Sequence, residues 1–106
     1  MTGVVEMRIY RLKPGQRAAF LKTFSERSVP AHREIGMPII GPFPAIDDPD
    51  AIFFMRGFPG LDAREPMKRA FYEGELWKGE LEAILMPMID RYDAVLVEDT
   101  LGLLPA

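Results

Sequence analysis

Residues 4–12 read Val-Val-Glu-Met-Arg-Ile-Tyr-Arg-Leu. Val5, Met7 and Ile9 alternate with Glu6, Arg8 and Tyr10, and a two-residue period among β-forming residues specifies a strand. The apolar set is expected under a covering layer, with Glu6, Arg8 and Tyr10 on the opposite face. Lys13-Pro14-Gly15 ends the strand, and Pro14 is tolerated near a first helical turn because the N–H it lacks has no partner there. The helix that follows, to about Ser28, repeats Ala18, Phe20, Leu21 and Phe24 at spacings of three and four, with Lys22, Glu26 and Arg27 opposite. Pro30 should kink or end it. Gly36 closes the segment Ala-His-Arg-Glu-Ile-Gly, a further helical turn carrying His32.

Met37 to Ile46 is apolar but holds three prolines and a glycine, which suits an edge strand. Asp47-Asp48-Pro49-Asp50 is turn chemistry, and Ala51 to Phe58 is the next strand, so the pair forms a hairpin. Asp62 with Glu65 matches a capping box opening a helix through Met67, Ala70 and Phe71, interrupted at Gly74. A second helical stretch aligns Trp77, Leu81, Ile84, Leu85 and Met88 on one stripe. Arg91 to Asp99 is the last strand, followed by the apolar tail Thr-Leu-Gly-Leu-Leu-Pro-Ala. Strand, helix, strand, strand, helix, strand predicts an α+β ferredoxin-like sandwich, a four-stranded antiparallel sheet with its helices on one face. The third strand is apolar on both sides, Ile52, Phe54 and Phe58 on one and Phe53 and Met55 on the other. Helices cover one face only, so a second copy of the chain is expected on the other, making a homodimer.

At 106 residues the chain is a single domain. With 27% charged residues and a net charge of −3 it is not a basic nucleic-acid binder. No apolar run approaches the roughly 20 residues of a membrane span, and the start has no secretory pattern, so a cytoplasmic protein is expected. No cysteine and one histidine leave neither thiolate chemistry nor a multi-histidine metal centre within one chain. Asp47, Asp48 and Asp50 lack the spacing of a calcium loop and read as the hairpin turn. The glycines match no nucleotide signature, so no cofactor and no metal is expected.

Glu6-Met7-Arg8-Ile9-Tyr10-Arg11-Leu12-Lys13-Pro14-Gly15 resembles the E-x-R-x-Y-x-L-K-P-G opening of the NIPSNAP family, within the dimeric α/β-barrel superfamily. The likeness continues through Pro30 to Gly36, Phe58 to Glu65, Trp77 and the apolar tail. It departs at Arg56 and Phe54, where an aromatic and a polar residue are more usual. The resemblance implies a homodimeric barrel over residues 1–106 and no assigned activity. The wider superfamily includes cofactor-free oxygenases and haem enzymes.

With Glu6, Arg8 and Tyr10 between two facing sheets, Phe54, Arg56 and Phe58 join them by alternation. Two arginines, a carboxylate and a phenol among aromatic walls suit a small aromatic or apolar acid. The competing reading is an ion pair that satisfies charges at a dimer interface. His32 has a side-chain pKa near neutrality suited to a general base or a haem ligand, but Arg33 and Glu34 beside it favour a solvent-facing position. Trp77, with Met86 and Met88, lines either a pocket or the core. The chemistry left is cofactor-free oxygenation or isomerisation, with Glu6 or His32 as base and Arg8, with Tyr10, holding an oxyanion. The alternative is a non-catalytic structural or partner-binding homodimer.

Overall fold

The computed structural model describes residues 3–104; the last two residues of the apolar tail, Pro105 and Ala106, lie outside them. The chain runs β1 (Val4–Leu12), α1 (Arg17–Thr23), a π-helical turn (Phe24–Ser28), α2 (Val29–Glu34), β2 (Ile39–Pro44) and β3 (Ala51–Phe58). It continues through α3 (Leu61–Tyr72), a second π-helical turn (Trp77–Leu81), α4 (Glu82–Leu85), a 3₁₀ turn (Met86–Met88) and β4 (Ile89–Glu98). The strands form one sheet in the order β2-β3-β1-β4, every neighbouring pair antiparallel. This is the ferredoxin-like α+β arrangement, with the proline-bearing β2 at an edge.

The local expectations hold where local chemistry governs. The hairpin turn is fastened by its own carboxylates: Asp48 accepts from Arg11 Nη1 at 2.9 Å and from the Asp50 amide at 2.9 Å. Gly36, at φ +80°, sits in the left-handed region that glycine reaches without a Cβ penalty, and it ends the α2 turn. Two expectations are corrected. Pro30 does not end the helical path; it lies in the first turn of α2, just after a wide π turn. The capping box does not form. Gly60 is the N-cap of α3, so Asp62 falls inside the first turn, and Glu65 instead accepts from Arg64 Nη1 at 3.3 Å.

The larger correction concerns the faces of the sheet. Glu6, Arg8 and Tyr10 lie beneath the helices, and Val5, Met7 and Ile9 point to the other face, where Val5 is buried beside the C-terminal segment and Ile9 is exposed. The main core packs Tyr10, Leu12, Phe20, Phe24, Ile52, Phe54, Phe71, Leu81 and Leu85 between sheet and helices. Phe54 is therefore a core residue, so a charge introduced there would break the fold instead of an interface. Phe58 packs with Val4 and Met37 in a smaller cluster. The β1–β3 register places Glu6 opposite Arg56 and Arg8 opposite Phe54, which brings the polar side chains of both strands to the helical side. The reason is that both faces of β1 are suited to burial, so polarity alone does not say which receives the helices. The open face carries Ile9 at 39% exposure and Val95 at 57%, beside half-buried Met7, Phe53 and Met55. At one end Leu104 folds onto Gly57, where an added Cβ would lie 3.0 Å from the Leu104 Cβ.

Candidate functional site

Glu6 is fully buried near the middle of β1, and its carboxylate is held by three arginines. Oε1 accepts from Arg8 Nε and from Arg56 Nε, both at 2.7 Å. Oε2 accepts from Arg64 Nε at 2.9 Å and Nη2 at 2.7 Å, two N–H groups of α3 converging on one oxygen. Burial pushes the Glu6 carboxyl up, but Arg56, Arg8 and the Arg64 hydrogen bonds outweigh it and hold its pKa at about 2. Arg8 is raised above its ordinary value: burial opposes its charge, and Tyr10, Tyr72 and Glu6 more than compensate.

From Arg56 the network runs on to His32. Arg56 Nη1 donates to the Tyr72 hydroxyl at 2.9 Å and meets His32 Nε2 at 3.0 Å. Because a guanidinium can only donate, Nε2 accepts and the ring proton sits on Nδ1, which donates to the Ser28 carbonyl at 2.7 Å. His32 is 1% exposed, which corrects the solvent-facing position expected for it. Its helical turn is pressed onto the sheet, with the ring 4.1 Å from that of Phe71. Burial and Arg56 lower its pKa to about 4, so the ring is neutral at pH 7. Burial likewise pushes the Tyr10 phenol up to about 12. Among the described residues, Arg56 Nη2 is buried without a partner.

A cavity of about 220 Å³ opens beside this network, between the sheet and the helices. Arg8, Tyr10, Tyr72, Trp77, Tyr92 and Lys68 line it, with Met86, Ile89 and Glu82. The Arg8 guanidinium lies over the Tyr92 ring at 5.1 Å, and Tyr72 meets Trp77 edge to face at 5.0 Å. Of the residues singled out from sequence, Glu6, Arg8, Tyr10, His32 and Arg56 come together, and Trp77 and Met86 reach the cavity wall. Phe54 lies behind Arg56, its ring 5.9 Å from the guanidinium, and Phe58 is in the separate small cluster. The sequence reading missed Arg64, Lys68, Tyr72 and Tyr92. A signal existed for the first three: they recur every four residues, a polar stripe along α3. Tyr92 is registered directly opposite Tyr10. Arg8, Arg56 and Arg64 thus share one buried carboxylate, with Lys68 close enough to feel its charge, in a chain of net charge −3. No group of three or more His, Asp or Glu among the described residues is placed to hold a metal ion.

Fold and site define a class: a ferredoxin-like α+β domain with a cationic, aromatic-walled cleft between sheet and helices. The NIPSNAP family model matches residues 5–95, and the chain belongs to the NIPSNAP family. A NIPSNAP family protein of Agrobacterium tumefaciens superposes with a TM-score of 0.82 at 24% identity, covering 95% of this chain and 89% of that one. An uncharacterised NIPSNAP-like domain protein of Burkholderia xenovorans gives 0.81 at 21% identity, covering 91% and 84%. A Nitrosomonas europaea protein provisionally named an antibiotic biosynthesis monooxygenase gives 0.74 at 10% identity, covering 95% and 93%. At these identities the likenesses establish the fold. No curated protein matches the chain.

Proposed function

We propose that this protein binds a small aromatic or apolar acid as its anion in the cleft beneath the helices, and that it works as a homodimer. One observation carries the reading: Arg8 and Lys68 both line the cleft, and the buried carboxylate beside it, Glu6, is already shared among Arg8, Arg56 and Arg64. An organic anion supplies missing charge, and the rings of Tyr72, Trp77 and Tyr92 supply an apolar wall for its body. In a calorimetric titration, benzoate, phenylacetate and 4-hydroxybenzoate are the probes. Arg8→Met should weaken binding of whichever acid binds by about 10–100-fold, the loss of a hydrogen-bonded charge contact. Absence of binding by all three to the wild type overturns the reading.

The chemistry open to this site is narrower than the residue types imply. Glu6, with both oxygens engaged and its pKa near 2, and His32, with Nε2 occupied and its pKa near 4, are poor bases. A phenol or enol acid that arrives ionised needs no base. Arg8 and Tyr10 would then stabilise its charge during cofactor-free oxygenation by O₂ or during isomerisation. The oxygenase reading agrees with the name of the Nitrosomonas neighbour, an analogy at the level of fold. The second reading is a binding unit without turnover, and the closed hydrogen bonding of Glu6 favours it.

The homodimer reading rests on the apolar open face of the sheet, with Ile9, Met7, Phe53, Met55 and Val95. Two such faces packed about a twofold axis are expected to bury more than the roughly 1,000 Å² of a stable interface. Light scattering at micromolar concentration should give twice the 12.0 kDa of one chain, and Val95→Asp should return the monomer by placing an unpaired charge in the interface. A single-chain mass for the wild type removes the dimer.

A further inference from the structure

Lys68 takes no part in the ion pairs around Glu6, whose two oxygens are already committed to Arg8, Arg56 and Arg64. It projects from α3 one helical turn beyond Arg64 and lines the cavity with Arg8. The residue is half-buried, and no carboxylate among the described residues pairs with it. Burial and the adjacent Arg64 lower its pKa, so the folded chain holds a cation at an electrostatic cost that a neighbouring anion would relieve. Glu82 also lines the cavity but is exposed. The cavity, at about 220 Å³, is smaller than the roughly 300–1,000 Å³ of sites for drug-sized ligands and suits one ring.

Resting on the reading of the cleft given above, we infer that Lys68 is a second anion-binding group. The preferred ligand is then a single-ring aromatic acid with a second anionic oxygen beside its carboxylate, one anion on Arg8 and the other on Lys68. An ammonium and a guanidinium lining one cavity recognise a ligand with two negative groups better than one with a single group, because each added charge-assisted hydrogen bond forms in a cleft partly shielded from water. Glu82 at the same cavity argues for the opposite ligand, a zwitterion with an amino group, so the probes separate the two.

Calorimetric titrations of benzoate, phthalate and 2-aminobenzoate into the full chain compare the wild type with Lys68→Met and Lys68→Arg, each variant checked for an unchanged thermal melt. The wild type should bind phthalate about tenfold tighter than benzoate. Lys68→Met should abolish that preference, weakening phthalate binding about tenfold more than benzoate binding, and Lys68→Arg should keep it. Equal binding of benzoate and phthalate by the wild type overturns the inference and leaves the cleft reading standing, and this comparison needs no variant to fold. A Lys68→Met loss that falls equally on both acids also overturns it, assigning Lys68 a structural role. Tightest binding of 2-aminobenzoate overturns it in favour of Glu82. Binding of none of the three overturns the inference, and the cleft reading falls with it only if phenylacetate and 4-hydroxybenzoate fail as well.

Discussion

Glu6→Gln is expected to lower the melting temperature of the protein by roughly 15 °C or more, read by circular dichroism at pH 7. The amide is nearly isosteric, so the change creates no cavity; what it removes is the charge that Arg8, Arg56 and Arg64 share. Breaking a buried ion pair by deleting one partner costs about 3–5 kcal/mol, and a domain of this size shifts by roughly 4–8 °C per kcal/mol. The same group predicts an acid limb. Its folded pKa of about 2 is depressed from 4.5, so its contribution is complete above pH 4.5 and is lost as the pH falls from 4.5 towards 2. That loss is about 3 kcal/mol, and Glu6→Gln should lack it. A variant that melts with the wild type at pH 7 would show that the three guanidiniums do not need this carboxylate.

The second large effect belongs to His32 and occupies a different pH window. Its folded pKa of about 4 is depressed from 6.5, so the unfolded chain takes up a proton that the native ring refuses. Stability is full above pH 6.5 and declines as the pH falls towards 4, by about 3 kcal/mol over the whole range. Most of this window lies above that of Glu6, so urea midpoints at pH 7.5, 6.0 and 5.0 isolate it. His32→Gln, which keeps a polar side chain near Arg56, should start from a lower midpoint at pH 7.5 and change little between 7.5 and 5.0. A wild-type midpoint that stays constant over that range would mean that His32 is not held neutral by burial and Arg56.

Both effects arise from partners that lie far apart in the chain, and this marks the limit of reading the sequence directly. Element types and their order follow from local pattern. The alternation of Val4 to Leu12, the prolines that confine Ile39–Pro44 to an edge, the Asp-Asp-Pro-Asp turn and the stripe holding Leu81 and Leu85 each describe residues within a few positions of one another. The opening motif was enough to point to the NIPSNAP family. Facing was not legible. A two-residue period says that the two sides of β1 differ, but it does not say which side receives the helices. Burial of Glu6 becomes favourable only when Arg56, 50 positions away, and Arg64, 58 positions away, arrive to hold it. The position of His32 likewise depends on Arg56 and the Ser28 carbonyl meeting its two nitrogens, while its sequence neighbours Arg33 and Glu34 pointed to solvent. Charge burial is a property of a finished network, because a lone ion is costly in the core and a saturated one is stable there. Periodicity therefore specified the strands and helices of this chain, and the long-range pairing of charges set which face of the sheet became the site.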